Sequence, residues 1–181
     1  MDMNAKPLRE YMAPLSDLLE AYQMDDMVRV LWVTVEADCN WKVIHDNFNE
    51  SYHLPTLHRE LATFIEEDYQ QTQFDMYPSG HNRMIEMGCL PSSRNGVGDV
   101  VETPLKEIME YWELNPDDFK GRTRDVRRAI QQQKRKLGPA RGHKIFETLS
   151  DDQLTDYHHC TCFPNFSLTF CTTSPTVMKS N

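Results

Sequence analysis

The segment from Asn40 to His58 reads Asn-Trp-Lys-Val-Ile-His-Asp-Asn-Phe-Asn-Glu-Ser-Tyr-His-Leu-Pro-Thr-Leu-His, and it gathers groups able to hold a metal ion. At about 100° per residue on a helix, Asp46, Glu50 and His53 fall in one narrow arc, nearly opposite a stripe of Ile44, Phe48 and Tyr52. One face can then pack while the other presents ligands. His58 lies about 140° from His53 on an ideal helix, so the two imidazoles converge only if the chain changes course between them. Pro55 supplies a cause for that change. Neutral imidazoles suit iron, zinc, copper and nickel, and two histidines with one carboxylate on one face of the metal leave positions open for oxygen chemistry on Fe(II). Spacing alone leaves a bland alternative, in which a polar arc opposite an apolar stripe is a solvated helix face and His53 and His58 are surface residues.

The elements that must position these groups read as α+β. Met27 to Val35 is rich in β-branched and aromatic residues and reads as a strand. A helix from about Asn40 to His53 follows, capped by Asp38 or Asn40, with Pro55 ending or kinking it. Gln73 to Tyr77 and Arg83 to Leu90 flank a turn-rich stretch and suggest paired strands, and Pro91 to Asp99 is a loop. Thr103-Pro104 opens a helix through about Trp112, and Asn115-Pro116 opens another to Leu137, stopped by Gly138-Pro139. Ser150 to Gln153 fits a capping box, and His159 to Thr172 reads as a final strand.

Composition narrows the partners. The 181 residues supply apolar material for one domain, and the net charge of -9 disfavours nucleic acid and anionic membrane surfaces. No stretch approaches the length of apolar sequence that spans a bilayer, so a cytoplasmic protein is expected. Five cysteines, an odd number, are read as reduced thiols. His158-His159-Cys160-Thr161-Cys162 lacks the paired spacing of a zinc site, and strand packing is the preferred account. The stretch from Lys120 to Lys144 holds ten of the nineteen basic residues; it reads as a solvated helix with local ion pairs rather than a nucleic-acid patch. His45, His81 and His143 are expected at the surface or lining a pocket, not as ligands.

The whole string around His53 resembles the mononuclear-iron motif of Rieske-type, ring-hydroxylating non-haem iron oxygenase α subunits. The matching residues are Asn40-Trp41-Lys42, Asp46-Asn47, Glu50, Tyr52-His53 and His58. The likeness extends over Met76 to Arg83, the helices from Pro104 to Leu137, and His158-His159 through Phe163-Pro164-Asn165. It implies His53 and His58 as iron ligands. It also implies Glu50 as the residue that bridges to a cluster-ligating histidine of a neighbouring subunit and helps electrons reach the iron. Glu50 stands where many members have Asp, and its plain alternative is an exposed helix glutamate; Asn47 is read either as a hydrogen-bonding neighbour of the iron pocket or as an exposed helical residue.

By this resemblance the fold is the helix-grip-like catalytic domain, an antiparallel sheet wrapped by helices around a hydrophobic cavity. The activity implied is O2-dependent hydroxylation of an aromatic or other apolar substrate at mononuclear Fe(II). Electrons would come from NAD(P)H through a reductase or ferredoxin and a Rieske [2Fe-2S] centre, and the subunits would form a homo-oligomer, a trimer in the parent family. Two parts of the pattern are missing. The Cys-x-His and Cys-x-x-His pairs that hold a Rieske cluster do not occur, so the cluster is expected on a missing domain or partner. The third ligand, an aspartate far beyond the second histidine, is expected to be absent, leaving a single partial catalytic domain, incomplete at the C-terminus. Asp75, Asp99, Asp151, Asp152 and Asp156 are the available substitutes, and solvated or capping roles are expected for all five. Two rivals stand beside the oxygenase reading: a truncated, non-catalytic module that binds a small hydrophobic ligand, and a regulatory or assembly subunit.

Overall fold

The computed structural model describes residues 3–94, 98–172 and 176–179. Two short helices, α1 (Leu8–Met12) and α2 (Leu15–Glu20), lead the chain. The run from Met27 to Val35 is not the strand its residues suggest: it carries no regular structure, and Val28, Val30, Leu31 and Trp32 are exposed. Its β-branched residues favour a half-buried pleated surface, and no strand among the described residues pairs with it.

Helix α3 (Trp41–Asp46) is capped by Asn40, whose side chain accepts the Lys42 backbone N–H at 3.0 Å. It stops well short of His53. Asn49 and Ser51 hydrogen-bond away from the helix, to the Thr161 hydroxyl and the Glu67 carbonyl, as short polar side chains do when they compete with helical geometry. A separate turn of helix, α4 (Leu54–Leu57), then begins directly after His53. Pro55 sits in its first turn, where a missing N–H costs nothing, so it starts a helix rather than ending one.

The sheet is antiparallel throughout. Its strands are β1 (Ile65–Glu66), β2 (Gln73–Met76), β3 (Asn82–Gly88), β4 (Tyr157–Cys162), β5 (Phe166–Phe170) and β6 (Thr176–Lys179), in the order β1-β3-β4-β5-β6 with β2 also paired to β3. The expected β2/β3 hairpin is present. The expected last strand divides into β4 and β5, because Phe163-Pro164-Asn165 turns the chain between them.

Helix α5 (Leu105–Tyr111) follows Pro104, without the side-chain cap expected of Thr103. The long helix expected from Asn115 to Leu137 breaks into 3-10 turns at Pro116–Phe119 and Thr123–Asp125, then α6 (Val126–Leu137). Gly121, at φ +71°, turns the chain between the two 3-10 segments in a conformation that only glycine adopts freely. The Ser150/Gln153 capping box forms reciprocally, at 2.8 and 3.1 Å.

The core joins one sheet face to the helices. Cys160, Leu168 and Phe170 pack with Leu15 and Tyr22 on one side, and Leu105, Met109, Ile130 and Phe146 close the helical side. The basic stretch keeps the expected local ion pairs at Lys120–Asp117 and Arg122–Asp125, but other members pair across the chain instead: Arg124 meets the fully buried Glu66 at 2.6 Å, Arg127 meets Asp152 and Asp156, and Arg135 meets Asp151. No helix among the described residues is long and apolar enough to cross a membrane.

Candidate metal centre

The single helical turn α4 brings His53 and His58 together. Their ring centroids lie 5.4 Å apart, with the planes at 76°. His53 is the residue before α4 and His58 the residue after it, so the five-residue spacing is bridged by a single helical turn. The predicted change of course is present, although it takes the form of a new short helix.

Glu50 turns back onto the first of these histidines. One carboxylate oxygen contacts His53 Nδ1, and the other accepts the His53 backbone N–H at 3.2 Å. With its Nδ1 proton donated to Glu50, the ring keeps the Nε2 lone pair for a metal. Both side chains are largely buried, at 13% exposure for His53 and 20% for Glu50. His58 is looser: its side chain is 47% exposed and its Nδ1 lies 4.0 Å from Glu60. Asp46, expected on the same arc, is exposed and lies within α3, outside the turn that holds the histidines.

The remaining site expectations divide. Asp75 is paired with Arg83, Asp156 with Arg127, Asp151 with Arg135 and Asp152 with Arg127, and Asp99 is exposed. Among the described residues, no third His, Cys, Asp or Glu joins His53 and His58 in a group that could hold a metal ion. The structure thus brings two imidazoles together, a donor type that suits Fe(II) among other metals, with no third protein ligand beside them among those residues. Tyr52, read as part of the packed stripe, is 73% exposed. His45 replaces it: it is buried, not at the surface, and contacts the Ser167 hydroxyl of β5. Burial lowers its pKa below the ordinary imidazole value, against the opposing pull of Asp46. His81 is buried too and plays a structural part, with its ring nitrogens meeting the Tyr11 carbonyl at 2.7 Å and the Phe163 N–H at 3.1 Å. Asn47 closes the C-terminal end of α3.

Sequence reasoning passed over the sheet surface beneath α3. Period-two alternation and the strand register put Glu86, His159, Thr161, Ser167 and Thr169 on one face. His159 meets Glu86 and Thr169 through its two ring nitrogens, each at 3.0 Å, and Phe48 lies over it. The same register adds Met84 and Tyr157 to this face, so it mixes polar and apolar groups where the resemblance implies an apolar wall. The alternation of His159 and Thr161 in β4 was the available signal, but it needed the pairing with β3 and β5 to become a cluster.

The comparisons agree with the motif. No curated protein matches the chain. A family model described as the ring hydroxylating alpha subunit (catalytic domain) matches residues 24–180, a span that holds both histidines, Glu50 and all six strands. The chain belongs to the catalytic-domain family of ring-hydroxylating α subunits.

Proposed function

We propose that this chain is the iron-holding part of a Rieske-type oxygenase, with His53 and His58 as ligands to mononuclear Fe(II). The observation that carries the reading is the approach of the two imidazoles across α4, with Glu50 fixing the first. Fe(II) held there supplies a centre for reducing dioxygen with electrons that originate in NAD(P)H and arrive through a reductase or ferredoxin and a [2Fe-2S] cluster on another domain or subunit.

The chain's own residues do three things in this reading. Glu50 orients His53 and holds its Nδ1 proton, so that Nε2 would be left to bind a metal. By the family resemblance, Glu50, which contacts His53, is also the residue that would bridge to a cluster-ligating histidine of a neighbouring subunit. Phe48 and the sheet face beneath it provide the floor against which an aromatic or other apolar substrate would be held, with His159 as its polar element.

Oxygen uptake tests the activity. The iron-loaded chain, supplied with a reductase and a Rieske protein, should consume O2 only when an aromatic substrate is present, and His53→Ala should abolish the uptake. One observation favours a second reading, a ligand-binding module without turnover: no third ligand stands beside the two histidines among the described residues. Substrate binding without iron-dependent uptake would select it.

A further inference from the structure

A second site lies away from the histidines, between α5, α6 and the ends of β4 and β5. It is a cavity of about 310 Å³ walled by Ile108, Tyr111, Trp112 and Tyr157, with Lys134 among its lining residues. Lys134 is only 5% exposed. Its ammonium donates to the Leu154 carbonyl at 2.5 Å and to the Thr172 hydroxyl at 2.9 Å, and no carboxylate among the described residues is within ion-pair distance of it. A lysine ammonium has three N–H donors; these two oxygen partners leave one, and the ammonium otherwise lies 5.8 Å from the Phe146 ring centroid, a weak contact beside a carboxylate. Burial lowers its pKa, which is the expected response of a cation without a counter-ion.

Buried charges are ordinarily paired, since an isolated one costs several kcal/mol of lost hydration. Arg127, whose side chain is 12% exposed, follows that rule with Asp156. Lys134 does not, and it borders a cavity whose walls are largely aromatic and aliphatic. The volume lies near the lower end of ligand pockets, which suits a one-ring molecule. Glu107 lies at the exposed edge of the same cavity and is the only carboxylate lining it among the described residues.

We propose that this cavity binds a small aromatic or apolar carboxylate, whose anionic end completes the coordination of the Lys134 ammonium while its ring rests against Trp112 and Tyr157. The site is separate from the pair of histidines and requires no metal.

The test is titration of the full, metal-free chain with benzoate and with benzamide, its neutral counterpart of nearly equal shape, followed by calorimetry and by the backbone and Trp112 indole NMR signals. Benzoate should bind about tenfold or more tightly than benzamide, since a charge-assisted hydrogen bond in a desolvated site is worth about 1.5–3 kcal/mol. It should shift the signals of Trp112 and Thr172. Lys134→Met should remove the preference, and Glu107→Gln should strengthen benzoate binding by about twofold, the scale of one exposed charge. Equal binding of the two compounds, or benzoate shifts confined to other parts of the chain, would overturn the proposal. The benzoate–benzamide comparison in the unaltered chain and the Glu107→Gln result decide the matter even if Lys134→Met fails to fold.

Discussion

Glu50 holds His53 at two points, through the ring Nδ1 and through the backbone N–H. A carboxylate three residues before a histidine can reach both only because α3 has ended at Asp46 and the chain turns before α4. The consequence is a histidine whose tautomer and orientation are fixed before any metal arrives. Removing such a supporting group ordinarily lowers metal affinity by about 10–100-fold. Glu50→Ala should therefore weaken Fe(II) binding by that order in a competition with a chelator, and Glu50→Gln should weaken it less, because its amide oxygen can still accept the Nδ1–H.

The interior ion pair at Asp156 predicts an asymmetric response. Asp156 is 5% exposed and its carboxyl pKa is raised by burial, with Arg127 opposing the rise. Arg127→Met would leave that carboxylate alone and should destabilise the fold by about 3–5 kcal/mol in denaturant titrations at neutral pH. Asp152→Asn removes only Arg127's exposed second partner and should cost less than about 1 kcal/mol.

His158 gives the fold a pH dependence. It is buried and stacked on Phe170, with ring centroids 5.0 Å apart, and burial lowers its pKa to about 4. Below about 6.5 the unfolded chain takes up a proton that the folded chain refuses until about pH 4, so stability falls as pH drops through that window. The contribution is of order 3 kcal/mol across the window, from about 1.4 kcal/mol per pH unit. His45, lowered in the same direction, adds to the same slope. The Nε2 of His158 has no partner among the described residues, so His158→Phe should fold and should flatten the slope in urea titrations between pH 6.5 and 4.

Gly88 allows close packing of β3 against the start of β4. A Cβ there would lie 2.2 Å from the Thr155 carbonyl and 2.7 Å from the Tyr157 ring. Because the obstructing atom is backbone, Gly88→Ala should destabilise the protein by about 1–3 kcal/mol, measured as a lowered unfolding midpoint.

Much of the site was legible in the sequence because its information is local. The spacing of Glu50, His53 and His58 and the presence of Pro55 pointed to two imidazoles that converge if the chain changes course between them; Asn40 was one of two candidate caps, with Asp38, and the Ser150/Gln153 pair showed its capping box directly. Less legible were features set by distant partners. Met27 to Val35 has strand-forming residues but no strand beside it among the described residues, and the helix through His53 was cut short by Asn49 and Ser51 bonding to residues far along the chain. His45 is buried because Ser167 receives it across the fold, which no helical spacing could reveal. The Lys134 cavity, likewise, depends on Leu154 and Thr172 meeting a lysine that in sequence looks like one of a basic run.

The central claim is tested most directly by anaerobic Fe(II) titration of the purified chain beside His53→Ala and His58→Ala, with metal analysis of each folded protein. The account predicts close to one iron per chain, lost in both variants. Folded chain that takes up no iron, or variants that bind it as well as the parent, would contradict it.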